Sequence, residues 1–218
     1  MPLISKIEQQ KRKKDRYNIF LNDIYSFSVS EQTLLENSLK VGQNLTEEEI
    51  SQISKKEELS RLMDLSLRFV GVRPRSEKEV KDYLAKKIST LNDIKFKEAL
   101  RSPQIEITIK KLKKYKYLND SEFSKWLIQS RRRSSPKGTR IIKMELKQKG
   151  IKPEIIQKVL KKAINEKTLA KIALSKKLIK WSNLKEFELK KKVYTFLLSR
   201  GFDYETIEEL FATLPKKR

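Results

Sequence analysis

Two short phrases, Glu79-Val80-Lys81 and Glu145-Leu146-Lys147, match the Glu-x-Lys portion of some metal-dependent nuclease sites. Such a site needs further carboxylates, supplied from strands, to hold a divalent cation. Both phrases fall in helical patterns without such companions, so surface ion pairing on a helix is the better reading. Little other catalytic apparatus is on offer. The 218 residues contain neither His nor Cys, which removes Cys/His zinc sites, haem ligation, thiol nucleophiles, disulfides and His-based triads. With 5 glycines and neither G-x-x-x-x-G-K nor G-x-G-x-x-G, no phosphate-cradling loop can be assigned. The expectation is a protein that is not an enzyme and needs no metal or cofactor.

Charge points instead to binding. Lys and Arg number 51 against 28 Asp and Glu, a net charge of +23. Residues 1–54 hold 7 bases and 8 acids, so the whole excess, 44 − 20 = +24, lies in residues 55–218. A field of that sign steers a protein toward polyanions, among them nucleic acid, anionic membrane or acidic protein grooves. The densest stretch is Arg131, Arg132, Arg133, Lys137, Arg140, Lys143, Lys147, Lys149 and Lys152, opposed only by Glu145. On a helix opened near Gly138, Arg140, Lys143 and Lys147 share one face while Ile142 and Leu146 point the other way. Like charges three and four apart weaken a helix, so an unrelieved stripe suggests a polyanionic partner; the competing reading is a solvated face. A second group, Arg73-Pro74-Arg75, enters a helix start, where its arginines either contact a phosphate or carboxylate or merely flank the helix end. Lys113-Lys114-Tyr115-Lys116-Tyr117 interleaves bases with aromatics as a stacking platform would, but Tyr115 and Tyr117 sit at a helix end and are assigned to the core, as are Trp126 and Trp181.

The elements that must position these residues are mostly helices. From Leu3 to Val29 the pattern favours a hairpin or three-strand sheet, with Asn22-Asp23 as a two-residue turn. Ser30 caps a short helix that ends near Gly42. Thr46 with Glu49, Ser54 with Glu57, and Ser76 with Glu79 read as capping boxes, each marking a helix start. Ser102-Pro103 opens another helix carrying Ile105, Ile109 and Leu112, and Asn119-Asp120 restarts the pattern with Phe123, Trp126 and Leu127.

Internal similarity is the strongest organising signal. At an offset of 51, Ile142 falls on Val193, Leu146 on Leu197, Gly150 on Gly201, Ile151 on Phe202, Ile156 on Ile207 and Val159 on Leu210. Gly150 and Gly201 each follow a basic residue at a helix end, where a left-handed residue is wanted. A third copy starts at Val80 and Leu84, lacks the glycine, and holds about a dozen extra residues near 88–101. The fold class expected is therefore mainly α: three tandem three-helix repeats in an elongated, curved arrangement, preceded by a small β region. The divisions fall at 1–54, 55–118, 119–166 and 167–218.

An ordered set of motifs carries a family resemblance. Arg73-Pro74-Arg75-Ser76-x-x-Glu79-Val80-x-x-Tyr83-Leu84, Leu112-x-x-x-x-Tyr117-Leu118-Asn119-Asp120-x-x-Phe123, Pro136-x-Gly138 and Leu146-x-x-Lys149-Gly150-Ile151 resemble the RecX family of recombination regulators. The similarity spans roughly residues 55–214, and the amino-terminal region resembles the extension of Gram-positive-type members. Two departures are the extra segment between Lys87 and Pro103 and Lys116, where the family usually has glycine. The resemblance implies a monomeric, non-enzymatic modulator of the RecA recombinase. It would lie in the groove of the filament on single-stranded DNA, with double-stranded DNA as a further partner, and hinder ATP hydrolysis, strand exchange and repressor cleavage in DNA repair and the SOS response. The residues expected to meet the polyanionic partner are Arg73, Arg75, Arg131, Arg132, Arg133, Lys137, Arg140, Lys143 and Lys147. A basic helical protein acting directly on DNA or RNA is the alternative. No apolar run approaches the roughly 20 residues of a membrane span and the first residues lack a signal layout, so a cytoplasmic location without membrane contact is expected.

Overall fold

The computed structural model describes residues 1–11, 14–163 and 165–214. The chain forms two compact units, Met1–Phe69 with Lys81–Tyr115, and Val70–Val80 with Lys116–Arg218.

In the first unit, strands β1 (Ile4–Gln9), β2 (Arg16–Leu21) and β3 (Ile24–Ser30) form an antiparallel sheet in chain order. Asn22 and Asp23, at φ of 50° and 66°, make the β2–β3 turn, a conformation whose twist suits the flanking strands. One face of the sheet buries Ile4, Ile19 and Val29 with Leu39, Leu45 and Ile53. Ser30 caps α1 (Glu31–Glu36) by accepting from the Thr33 N–H. Thr46 and Glu49 form a reciprocal box at the start of α2 (Glu47–Val72), the Glu49 N–H donating to Thr46 Oγ1 at 3.1 Å and the Thr46 N–H to Glu49 Oε2 at 2.7 Å.

The box expected at Ser54 and Glu57 is not a helix start, because α2 runs unbroken through both. Glu57 is buried at the end of the sheet. It pairs with Arg16 Nη1 at 2.8 Å and accepts from the Ser30 N–H at 3.0 Å and Thr33 Oγ1 at 2.8 Å. Its carboxylate serves tertiary partners, which is why a local pattern misplaced it.

Helices α3 (Glu77–Asn92), α4 (Phe96–Ala99) and α5 (Pro103–Lys114) follow. α3 continues to Asn92, so the first of the extra residues expected near 88–101 prolong that helix, and others follow it. They fold into α4, which buries Ala99. Ser102 precedes α5 but does not cap it; its hydroxyl bonds the Gln104 side chain at 2.9 Å.

The second unit holds two similar three-helix groups. The first comprises α6 (Asp120–Ser134), α7 (Thr139–Gln148) and α8 (Pro153–Ala163), around Phe123, Ile142, Leu146, Ile156 and Val159. The second comprises α9 (Glu166–Lys180), α10 (Glu186–Ser199) and α11 (Tyr204–Ala212), around Leu174, Val193, Leu197, Ile207 and Leu210. The five apolar pairs named above are buried on both sides, and Leu160 and Phe211, also 51 apart, are half-buried against the same cores.

The helix ends repeat as well. After α7, the Ile151 N–H bonds Leu146 O and the Gly150 N–H bonds Lys147 O; after α10, the Phe202 N–H bonds Leu197 O and the Gly201 N–H bonds Leu198 O. These are Schellman ends, and Gly150 and Gly201 supply the left-handed residue at φ of 76° and 82°. The missing glycine of the earlier copy is now accounted for. Asp93 takes that place at φ 49°, with the Ile94 N–H bonding Ser89 O. Lys116, where the resembled family has glycine, is left-handed too, at φ 62°.

Both glycine ends also act as seats. The start of α7 lies on Gly201: the Gly138 N–H donates to Arg200 O at 2.9 Å and Arg140 Nη2 to Leu198 O at 2.9 Å. The Thr139 N–H and hydroxyl donate to Glu166, which opens α9, at 3.1 and 2.7 Å. The start of α3 repeats this arrangement within the same unit. The Glu77 N–H donates to Asp120, which opens α6, at 2.9 Å, and Lys78 Nζ donates to Gln148 O at 3.0 Å.

A Cβ on Gly138 would stand 2.2 Å from Gly201 O and 2.3 Å from Phe202 N, backbone atoms with no rotamer to yield. Gly138→Ala is therefore expected to cost about 2–3 kcal/mol. Gly71→Ala, in α2 with nothing within 4 Å of the added Cβ, should be stabilising by up to about 1 kcal/mol. Chemical unfolding followed by circular dichroism reads both; a Gly138→Ala protein as stable as the parent would refute the joint.

Candidate functional site

The basic face is built on α6 and α7. Asn119 starts α6 by accepting from the Ser121 and Glu122 N–H groups, and Phe123, Leu127 and Ile128 bury one side. The last turn therefore carries Arg131, Arg132 and Arg133 against the carbonyl end of the helix, where cations are favoured. On α7, Ile142 and Leu146 are buried, which leaves Arg140, Lys143 and Lys147 on the exposed side as their spacing requires.

The nine bases predicted from sequence fall into distinct settings. Arg131 and Lys137 are half-buried and both grip Glu145, through Nε to Oε2 and Nζ to Oε1, each at 2.8 Å. Arg73 forks onto Glu79 with two contacts of 3.1 Å and lays its guanidinium 4.9 Å from the Trp126 ring centre. Arg75 is half-buried; burial and the neighbouring Arg73 charge push its pKa down while Glu79 opposes them. Arg140 is fastened to Leu198 O. Arg132, Arg133, Lys143 and Lys147 are exposed, and among the described residues none of the four pairs with a carboxylate.

The two Glu-x-Lys phrases do not form pairs within themselves. Glu79 takes Arg73 and, from a distant segment, Lys149 at 2.7 Å, while Lys81 pairs with Glu106 at 2.6 Å. Residues two apart on a helix do not face each other, so each carboxylate reached for bases on other elements. Each Glu is thus a two-cation hub, a role the sequence reading missed. Among the described residues no group of three or more His, Cys, Asp or Glu could hold a metal ion. Lys125 and Lys158, also overlooked, line a shallow groove with Arg132 between α6 and α8; the i+7 spacing of Lys125 and Arg132 on α6 was the available signal.

Two other placements correct the sequence reading. Tyr115 and Tyr117, assigned to the core, are 58% and 57% exposed. Trp126 and Trp181 do pack against the cores of their three-helix groups. Among the described residues no helix is long and apolar enough to cross a membrane.

Burial pushes the carboxyls of Glu79 and Glu145 upward, but the hydrogen bonds and charges of Arg73 with Lys149, and of Arg131 with Lys137, outweigh it and hold both below the ordinary value of 4.5. A folded-state pKa below the unfolded one contributes stability above the unfolded value and loses it as pH falls through the folded one. Glu79→Gln/Glu145→Gln should therefore be less stable than the parent by about 1–3 kcal/mol at neutral pH. The gap should close as the medium is acidified below pH 4.5. Denaturant titrations across pH check this; a gap independent of pH would refute it.

Comparison with known proteins places these features in a family. Residues 2–46 match the model of the regulatory protein RecX N-terminal domain, 119–160 that of the RecX second three-helix domain, and 165–211 that of the third. The regulatory protein RecX of Bacillus pumilus (strain SAFR-032) is 33% identical over 211 residues, covering 96% of this chain and 76% of that one. That of Bacillus subtilis (strain 168) is 34% identical over 209 residues, covering 95% and 75%. A crystal structure of regulatory protein RecX superposes with a TM-score of 0.65 at 27% identity, over 96% of this chain and 98% of that one. The crystal structure of RecX from Lactobacillus salivarius shares the fold, with a TM-score of 0.59 at 22% identity over 72% and 96% of the two chains. With an N-terminal sheet, two matched three-helix domains and relatives above 30% identity along nearly the whole length, the chain belongs to the RecX family of regulatory proteins.

Proposed function

We propose that this chain is a non-enzymatic regulator that binds RecA-type recombinase filaments on single-stranded DNA along the filament groove. It restrains ATP hydrolysis, strand exchange and repressor cleavage there, in DNA repair and the SOS response. It acts in the cytoplasm as a monomer, and residues 55–118, 119–166 and 167–218 serve as successive contact modules. The supporting observation is the set of exposed cations, Arg132, Arg133, Lys143 and Lys147, which the chain's own carboxylates leave unneutralised beside residues that they do neutralise. Double-stranded DNA is a further polyanion for the same face, which also includes Arg75 and Arg140, the latter bonded to Leu198 O. Arg73, Arg131 and Lys137 contribute by position and are held by Glu79 and Glu145.

The division between held and free bases selects the variant. R132Q/R133Q/K143Q/K147Q removes exposed charge and opens no cavity, so folding stability should stay within about 0.5 kcal/mol of the parent. Co-sedimentation with recombinase filaments should weaken at least about tenfold, as expected when several phosphate or carboxylate contacts are lost together. Bare single-stranded DNA is the comparison, at two salt concentrations. Phosphate contacts alone give a slope of log K against log salt near −0.7 per contact. Unchanged filament binding would make the row a solvated face. Equal losses on filaments and bare strands, with a steep slope on both, would make direct nucleic-acid binding the better account.

A further inference from the structure

We infer that the groove between α6 and α8 is a site for linked phosphates, those of a nucleic-acid strand or of a free oligophosphate, built on Lys125, Arg132 and Lys158. This goes beyond the filament reading and does not rest on it.

The groove has a volume of about 490 Å³ and is lined by Ser121, Lys125, Ile128, Gln129 and Arg132 of α6 and by Lys158 and Val159 of α8. Ile128 and Val159 are buried and form its floor. Its charged lining is three cations and no carboxylate. Arg132 and Lys158 are exposed and, among the described residues, neither pairs with an acid. Lys125 pairs with Glu122 at 2.8 Å, but both side chains are more than half exposed, and a surface pair of that kind gives up its ammonium at little cost.

The group that follows in the same unit supplies the comparison. At an offset of 46, Asn119, Phe123 and Ile128 fall on Asn165, Leu169 and Leu174, while at 51 Ile156 and Val159 fall on Ile207 and Leu210. Both asparagines cap their helices and every apolar member is buried. By the same offsets Ser121 corresponds to Lys167, Arg132 to Leu178 and Lys158 to Glu209. In the later group Lys167 and Glu209 join α9 to α11 by an ion pair of 3.1 Å. Between α6 and α8 the acid's place is taken by a lysine and the leucine's by an arginine, so the equivalent helices set cations against one another. Like charges held together oppose folding, and an anion entering the groove relieves them.

Spacing and hydrogen-bonding capacity select that anion. Lys125 and Arg132 stand two turns apart on α6, about 10 Å along its axis, with Lys158 on the opposite helix. The charge is thus spread along the groove, which suits an extended anion charged at each link better than a single carboxylate or sulfate. Three cationic heads, with Gln129 and Ser121, present many donors, and the carboxamide and hydroxyl are the lining's only side-chain acceptors. A peptide would bring backbone N–H groups with few acceptors to meet them, whereas linked phosphates bring acceptors alone. The Arg132 guanidinium also matches phosphate oxygens through two parallel bonds.

Sodium tripolyphosphate and the single strand hexathymidylate are the probes, each titrated into the full 15N-labelled chain at constant ionic strength. Saturable amide shifts are expected at residues 121–132 and 158–159, with Kd of about 1 mM or tighter, and not at residues 167–178 and 209–210. K125Q/K158Q removes charge from two exposed side chains and opens no cavity; it should bind about tenfold more weakly, and K125R/K158R should bind as the parent does. Tighter binding of hexathymidylate assigns the site to a strand, and tighter binding of tripolyphosphate to a free oligophosphate. Absence of saturable shifts with both probes would overturn the proposal, as would K125Q/K158Q binding like the parent. Equal shifts in α9 and α11 would reduce the response to general attraction by a chain of net charge +23 and overturn it too. Hexa-aspartate binding as tightly as either probe would overturn it in favour of an acidic peptide. K125Q/K158Q leaves the whole exposed row in place and is read on free probes, so its outcome is distinguishable from loss of filament co-sedimentation in R132Q/R133Q/K143Q/K147Q.

Discussion

A helix start leaves backbone N–H groups without partners inside the helix, and the second unit is assembled around that deficit at α7. Gly138 must lack a side chain, because a Cβ there would collide with the Gly201 backbone. A residue without a side chain cannot cap, and α7 has no side-chain cap of its own. The missing acceptor comes from Glu166 in the next group, at 3.1 Å from the Thr139 N–H. Close backbone approach and borrowed capping are thus one constraint: the approach that excludes a local cap also delivers the distant one. A side-chain cap contributes typically about 1 kcal/mol, so the start of α7 is stabilised only while the neighbouring group is in place. The start of α3 is less dependent, since the Glu79 N–H donates to Ser76 Oγ at 3.1 Å while the Glu77 N–H reaches Asp120.

With 51 bases and 28 acids, a carboxylate in this chain is the scarce partner, and its placement determines which bases become structural. Glu57 holds Arg16 and the end of the sheet; Glu79 holds Arg73 and Lys149; Glu145 holds Arg131 and Lys137. Each of these acids is at least half-buried and hydrogen-bonded to several donors, the condition under which a shielded charge is tolerated. Bases left over are forced outward, where solvation is easiest. The exposed row on α6 and α7 therefore follows from a deficit of acids inside as much as from an excess of bases outside.

The repeat was legible in the sequence because apolar spacing and a glycine after a basic residue are short-range signals. The aligned pairs Ile142 and Val193, Leu146 and Leu197, and Ile156 and Ile207 are all buried. Caps with local acceptors, at Ser30, Thr46, Ser76 and Asn119, were legible for the same reason. What failed was long-range. Ser54 and Glu57 satisfy the capping pattern, yet Glu57 is claimed by Arg16, some 40 residues earlier in the chain. Glu145 was counted as a lone acid in a basic stripe, whereas its partners come from the end of α6 and the following loop. Asp93 concealed the third helix end because an aspartate can adopt the left-handed conformation that composition alone assigns to glycine.

Guanidinium and ammonium groups differ in what they can hold. Arg73 forks onto Glu79 and stacks on Trp126, and Arg200 sits 4.5 Å from the Phe196 ring centre while donating to Pro136 O at 3.2 Å. A planar guanidinium has directed donors and a flat face, so it suits positions where two elements must keep one geometry. Lys143 and Lys147, by contrast, stand exposed on α7. An ammonium on a four-carbon stem meets an anion from many directions, but ordering it costs side-chain entropy when it binds. The division is not strict, since Arg132 and Arg133 are exposed while Lys137 and Lys149 are held by Glu145 and Glu79, and the face combines fixed cations with adaptable ones. With no carboxylate among the described residues on Arg132, Arg133, Lys143 or Lys147, any specificity of the face has to come from its fixed outline rather than from a single ion pair.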